Sequence, residues 1–115
     1  FRRGDYMKKG IDKLNDLKER VENVHLEDKS SAFNTARIEA LELQNLFETA
    51  YATAVAAEGR TESRGAHARE DFQERDDDNW LCHSIYMPGK REIDKRPVNM
   101  TLKTMKPFEP KVRTY

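Results

Sequence analysis

Ala36, Ala40, Leu43, Phe47, Ala50, Ala54 and Ala57 recur at alternating spacings of four and three. That spacing is the signature of one continuous helix face, and no other feature of the chain restricts its fold as much. The pattern predicts a helix over about Ala32–Glu58, with Phe33 extending the stripe backward and Gly59 as the C-terminal cap. Roughly 26 residues at about 1.5 Å each make a rod near 39 Å long. Beside the stripe of small residues lie Ile38, Leu41, Leu46, Tyr51 and Val55. One neighbouring helix cannot cover both surfaces.

A companion lies just upstream. Met7, Ile11, Leu14, Leu17, Val21 and Val24 form a single apolar stripe, which predicts a helix over Asp5 to about Val24 with Asp5 as its N-cap. The polar stretch His25–Ser31 is a short connection, so the two helices are expected to form an antiparallel hairpin over residues 1–59. A hairpin alone leaves one flank of the longer helix wet. The expectation is therefore an incomplete core, with a further helix or another body outside these residues.

Residues 60–115 read as an irregular, loop-rich tail. Arg60–Asp78 is polar with poor periodicity. Asn79–Met87 is apolar and aromatic and predicts a short strand; Pro88-Gly89 marks a turn, and Pro97–Leu102 predicts a second strand that closes a loose hairpin. Val112–Tyr115 is expected to dock as a strand-like end. The fold class expected is thus mainly α: a helical hairpin followed by a tail with short β-strands.

Charge narrows the function. The 115 residues carry 21 Lys plus Arg against 21 Asp plus Glu, which removes the electrostatic footprint of a nucleic-acid binder. Within the tail the signs separate, with six acids and one Arg over Glu70–Asn79 and eight basic residues against three acids over Lys90–Tyr115. Such neighbouring patches suit contacts with other protein surfaces. The single Cys82 excludes an internal disulfide framework.

The densest chemistry lies in Thr61–Phe72. Arg64, His67, Arg69 and Asp71 surround Gly65 there. Guanidinium forks of this kind bind carboxylate or phosphate, or else brace a loop through ion pairs against another domain; the bracing role is the one expected. Asp76-Asp77-Asp78 near Cys82-His83 fits neither an EF-hand loop nor a zinc knuckle and reads better as a helix start. Ser63 near His67 lacks a nucleophile elbow, and no Gly-rich phosphate loop occurs. No residue is assigned a catalytic, cofactor-binding or metal-ligating role.

Several separated motifs then share one resemblance. Glu27–Arg37 (EDKSSAFNTAR), Glu42–Leu46 (ELQNL), Arg60–His67 (RTESRGAH), Arg75–His83 (RDDDNWLCH) and Lys111–Tyr115 (KVRTY) occur in an order that resembles the C-terminal region of the succinate dehydrogenase flavoprotein subunit and, more distantly, of fumarate reductase. A Pro often follows the Asp-Phe pair in that family; here Gln73 stands there. The resemblance implies a spectrin-repeat-like three-helix bundle with its first helix upstream of Phe1, a natural C-terminus at Tyr115, and a start that is a cut inside a longer chain. It implies a parent enzyme that oxidises succinate to fumarate with covalently bound FAD, held by upstream flavin-binding and capping domains. It also implies an iron–sulfur subunit and membrane anchor subunits as partners, and a peripheral site on the cytoplasmic face of a bacterial inner membrane. The chain by itself is expected to be inactive, to bind no FAD, and to self-associate as a dimer through its uncovered face. The competing reading is a stand-alone adaptor whose hairpin binds a partner helix.

Overall fold

The computed structural model describes residues 2–109 and Lys111. Helix α1 spans Gly4–Glu22 and helix α2 spans Thr35–Gly59. They form the expected antiparallel hairpin. The start of α1 meets the end of α2, where the Gly4 N–H donates to Asp71 and Arg69 reaches the carbonyls of Ala57 and Glu58. The short helix α3 (Asp77–Trp80) leads into strand β1 (Cys82–Ile85), which pairs antiparallel with β2 (Asp94–Pro97). The call for a strand-like end over Val112–Tyr115 lies outside the described residues.

The boundaries depart from the sequence expectation for local reasons. Asp5 is not the N-cap of α1: Arg3 is, and it makes no side-chain cap. Asp5 sits in the first turn, where both its oxygens accept from the Arg3 guanidinium at 2.6 and 2.8 Å. A carboxylate there complements the positive end of the helix dipole. At the other end Asn23 leaves helical geometry, so Val24 lies beyond α1. Helix α2 begins three residues later than its stripe suggests, because Asn34 caps it by accepting from the Arg37 N–H at 2.8 Å. Phe33 therefore does not extend the stripe. Its φ is +53°, a left-handed value that bulky residues rarely adopt, and its side chain is fully exposed.

The tail differs more. Asp76 caps α3 by accepting from the Asn79 N–H at 3.0 Å, so Asn79 and Trp80 are helical and the first strand shortens to four residues. The second strand lies earlier than Pro97–Leu102; the register pairs Cys82 with Pro97 and Ile85 with Asp94. Pro97 is the last residue of this two-stranded edge rather than the first, and the ladder does not continue beyond it. The hairpin turns through Pro88 and Gly89, with the Lys90 N–H donating to the Met87 carbonyl at 3.0 Å and Gly89 at φ +83°. This is the chemistry of a type II turn. Gly59 is the last residue of α2 and Arg60 its cap. Its lack of a side chain serves packing: a Cβ there would stand 3.0 Å from Ile93.

The apolar core is small. Ile11, Val55 and Trp80 are its fully buried members among the described residues. Ile38, Leu41 and Leu46 of α2 remain more than half exposed, as their excess over one helical neighbour requires. A groove of about 400 Å³ runs between Leu14, Leu17 and Val21 of α1 and Leu43, Leu46 and Ala50 of α2. No described helix is long and apolar enough to cross a membrane.

Candidate functional site

With so little apolar interior, the tail is held by charge. Arg60, Glu62 and Arg64 occupy alternate positions just after α2, and both arginines turn onto the carboxylate between them. Glu62 is completely buried. Its Oε1 accepts from Arg60 Nε and Arg64 Nε, each at 2.8 Å. Its Oε2 accepts from Arg64 Nη2 at 3.0 Å and from the Asp76 N–H at 2.9 Å. Burial alone would raise this carboxyl; Arg64, the Asp76 N–H and Arg60 outweigh it and hold the group below its ordinary range.

Each arginine then reaches a second element. Arg60 donates to the Cys82 carbonyl at 3.1 Å, to Ser84 Oγ at 3.0 Å and to the Trp80 carbonyl, tying the end of α2 to β1. Its guanidinium lies 5.2 Å from the Trp80 ring centre, and Lys95 Nζ lies 3.5 Å from the same ring. Arg64 continues to Asp77 Oδ1 at 2.6 Å, and Arg75 takes Asp77 Oδ2 at 2.9 Å. Asp77 is therefore a bridge at the start of α3.

A second cluster joins the two long helices. Arg69 is buried. Its fork grips both oxygens of Asp71 at 2.7 Å. Its Nη1 donates to the carbonyls of Ala57, Glu58 and Arg60, satisfying acceptors left open at the end of α2. Asp71 Oδ2 also accepts from the Gly4 N–H at 2.9 Å. A Cβ at Gly4 would come within 2.9 Å of that oxygen. The Arg69 fork, aided by the Gly4 N–H, holds the Asp71 carboxyl far below its usual range.

His67 completes the loop. Arg64 and His67 exchange two backbone hydrogen bonds at 2.8 and 3.0 Å around Gly65-Ala66, with Gly65 at φ +58°. A glycine at the first central position is the mark of a type II′ turn. The ring nitrogens of His67 contact Arg2 and the Arg60 carbonyl. Burial pushes the imidazole below its ordinary 6.5, and three nearby guanidiniums add to the effect.

The four candidate residues of the sequence are thus brought together, and each finds partners inside this chain. Arg64 belongs to the Glu62 cluster; Arg69, Asp71 and His67 belong to the helix junction. Ser63 is not poised for nucleophilic work, since its hydroxyl donates to the Phe72 carbonyl at 2.7 Å and accepts from the Arg69 N–H at 2.8 Å. The three aspartates diverge, with Asp76 capping α3 and Asp77 binding two arginines. Sequence reasoning missed Glu62 and Arg60. The Arg-x-Glu-x-Arg alternation at 60, 62 and 64 was the available signal.

A hairpin of helices whose charged loop is turned inward defines a packing domain, one whose titratable groups serve the fold. Residues 1–115 match the family described as fumarate reductase flavoprotein C-term, and the chain belongs to that family. It is 56% identical over 113 residues to the succinate dehydrogenase flavoprotein subunit of Coxiella burnetii, covering 98% of this chain and 19% of that one. It is 40% identical over 119 residues to the mitochondrial succinate dehydrogenase [ubiquinone] flavoprotein subunit of Oryza sativa, covering all of this chain and 19% of that one. Among solved structures, a chain of a quinol-fumarate reductase with menaquinol molecules superposes with a TM-score of 0.76 at 36% identity, covering 93% of this chain and 19% of that one. The chain spans about a fifth of the length of the curated relatives it matches.

Proposed function

We propose that the chain acts as a scaffold and interface domain of a flavoprotein subunit whose enzyme oxidises succinate to fumarate. In this reading the reducing equivalents pass to FAD, then to an iron–sulfur subunit and to quinone. Membrane anchor subunits hold the assembly at the cytoplasmic face of an inner membrane. The family match over the whole chain supports this, as do relatives about five times longer. The observation that carries the scaffold role is the direction of the charges. Arg60, Arg64 and Arg69 all bind groups of this chain, while Ile38, Leu41 and Leu46 face outward.

The residues of this chain do not fit FAD. A cleft of about 790 Å³ beside Arg64, His67 and Asp77 has its Arg64 and Arg75 guanidiniums already paired with carboxylates. No Gly-rich loop opens a helix to cradle a pyrophosphate. We therefore assign the flavin, covalently held, to other domains of the parent subunit, with Arg64, His67, Arg69 and Asp71 holding rigid from within this chain the loop that would brace this domain against them. Titration calorimetry of the 115-residue chain with FAD and with succinate tests the scaffold reading: no saturable heat is expected, and saturable binding of either ligand overturns it. The outward apolar flank makes a dimer the expected state of the separate chain. Light scattering that returns the 13.5 kDa monomer mass at high concentration counts against it. The adaptor reading is not favoured, because the relatives are named as oxidoreductase subunits.

A further inference from the structure

Arg2 precedes α1, yet it is bound to a loop more than sixty residues away. Its Nη1 lies 2.8 Å from His67 Nδ1 and donates to the Ala66 carbonyl at 3.3 Å. Its own carbonyl accepts from the Glu70 N–H at 3.0 Å. On the far side of the ring, His67 Nε2 lies 3.1 Å from the Arg60 carbonyl. These partners dictate the protonation of the imidazole. A guanidinium only donates, so Nδ1 must accept; a carbonyl only accepts, so Nε2 must carry the hydrogen. A single neutral tautomer satisfies both contacts.

We propose that His67 is a proton-operated latch: neutral, it fastens the segment before α1 onto the 63–71 loop; with Nδ1 protonated, it releases that segment. A proton on Nδ1 removes the acceptor that Arg2 uses and sets two cations face to face. The charged groups around the ring are Arg2 from the segment before α1, Arg60 from the end of α2 and Arg69 from the loop itself. The neighbouring carboxylates are engaged elsewhere. Asp71 is held by the Arg69 fork and the Gly4 N–H, and Glu62 by Arg60 and Arg64. No carboxylate is bonded to the ring; the Arg60 carbonyl alone favours the imidazolium, and burial together with the three guanidiniums outweighs it. The folded ring titrates below its ordinary 6.5. The latch is therefore fully closed above that value and opens as pH falls through the lower folded one. Asp71 stays ionised throughout, so an opening in this window belongs to His67.

Amide hydrogen exchange of the full ¹⁵N-labelled chain reads the latch at Glu70, whose N–H is bonded to Arg2, with the Arg37 amide at the other end of the hairpin as internal reference. Between about pH 7.5 and about pH 5, after correction for intrinsic rates, the Glu70 protection factor is expected to fall several-fold relative to that of Arg37. His67→Gln cannot be protonated and should make that ratio independent of pH. Arg2→Gln, a change at an exposed residue, should remove the Glu70 protection at both pH values and move the His67 titration upward. A Glu70 ratio that is equal at both pH values in the wild-type chain, protected or not, overturns the proposal. So does an equal fall in His67→Gln, or a His67 titration that Arg2→Gln leaves in place.

Discussion

Replacing Glu62 with Gln keeps the shape of the side chain and removes its charge, which isolates what the buried carboxylate contributes. Glu62 accepts four hydrogen bonds, two at each oxygen, and three of them come from guanidiniums. Glutamine offers one accepting oxygen. Whichever way it turns, its NH₂ meets two donors, so two bonds are lost and two arginines remain with less than one negative charge between them. A hydrogen bond to a charged group is worth about 1.5–3 kcal/mol, and removing one partner from a buried ionic cluster costs about 3–5 kcal/mol. The expected loss is therefore about 3–5 kcal/mol out of the roughly 5–15 kcal/mol that stabilises a typical domain. At roughly 4 °C per kcal/mol the melting temperature should fall by roughly 12–20 °C. Trp80 is the only tryptophan, and Arg60 binds its carbonyl, so urea unfolding followed by its fluorescence reports on this cluster directly. Lys18→Ala is the control, since the Lys18–Glu22 pair is half exposed or more and should matter by less than about 0.5 kcal/mol. If Glu62→Gln loses less than about 1 kcal/mol, the charged cluster does not hold the tail and the reasoning fails.

Two glycines should respond to alanine with opposite signs. Gly59→Ala puts a methyl 3.0 Å from Ile93 and should destabilise by about 1–2 kcal/mol, whereas Gly10→Ala meets nothing within 4 Å inside α1 and should stabilise by about 0.5–1 kcal/mol; thermal melts showing the same sign would refute this. Phe33→Asn should stabilise by about 0.5–1 kcal/mol, read as a higher urea midpoint, because the left-handed backbone loses its steric penalty and no buried contact is removed. Acid should weaken the fold in a predictable direction. Asp71, Asp76 and Asp77 are held below their ordinary 3.8, by Arg69, Asn79 and Arg64 respectively, and Glu62 below 4.5, so their contribution is complete above those values and is lost as pH falls through the lower folded ones. The urea midpoint should drop steadily from pH 5 to pH 2, and a flat or rising midpoint would contradict the assignment.

The two long helices were legible because a period of 3.6 repeats over many turns and every turn votes again. Their ends were not, because an end is decided by one side chain. Asn34 starts α2 by capping it, and the same step turns Phe33 out of the stripe that its spacing suggested. The tail was less legible for a related reason. Apolar and aromatic content made Asn79–Met87 a single strand, but Asp76 caps a helical turn that takes its first two residues. Pro97 then fixes the strand register from the opposite side. The candidate loop was found by its density of charge, yet its most buried member was overlooked. Glu62 looks ordinary in a sequence rich in acids, and only the folded chain reveals that Arg60 and Arg64 both close on it. The uncovered flank of α2 was readable in part: Ile38, Leu41 and Leu46 are exposed, but Tyr51 is half-buried and Val55, read as part of the same flank, is buried in the core.

The two ends of the hairpin are secured very differently. Where α1 begins and α2 finishes, Ala66, His67 and Asp71 bind Arg2 and Gly4, 64 to 67 residues away in the chain. At the opposite end, Asn34 bonds only to Asp28, Ser30 and Arg37, all within six residues. The two rods are thus clasped by long-range hydrogen bonds at one end, while the cap at the other organises only its own connection, so a change in the 23–34 segment bears on the apolar channel between Leu17 and Leu46 without touching a bond of the clasp.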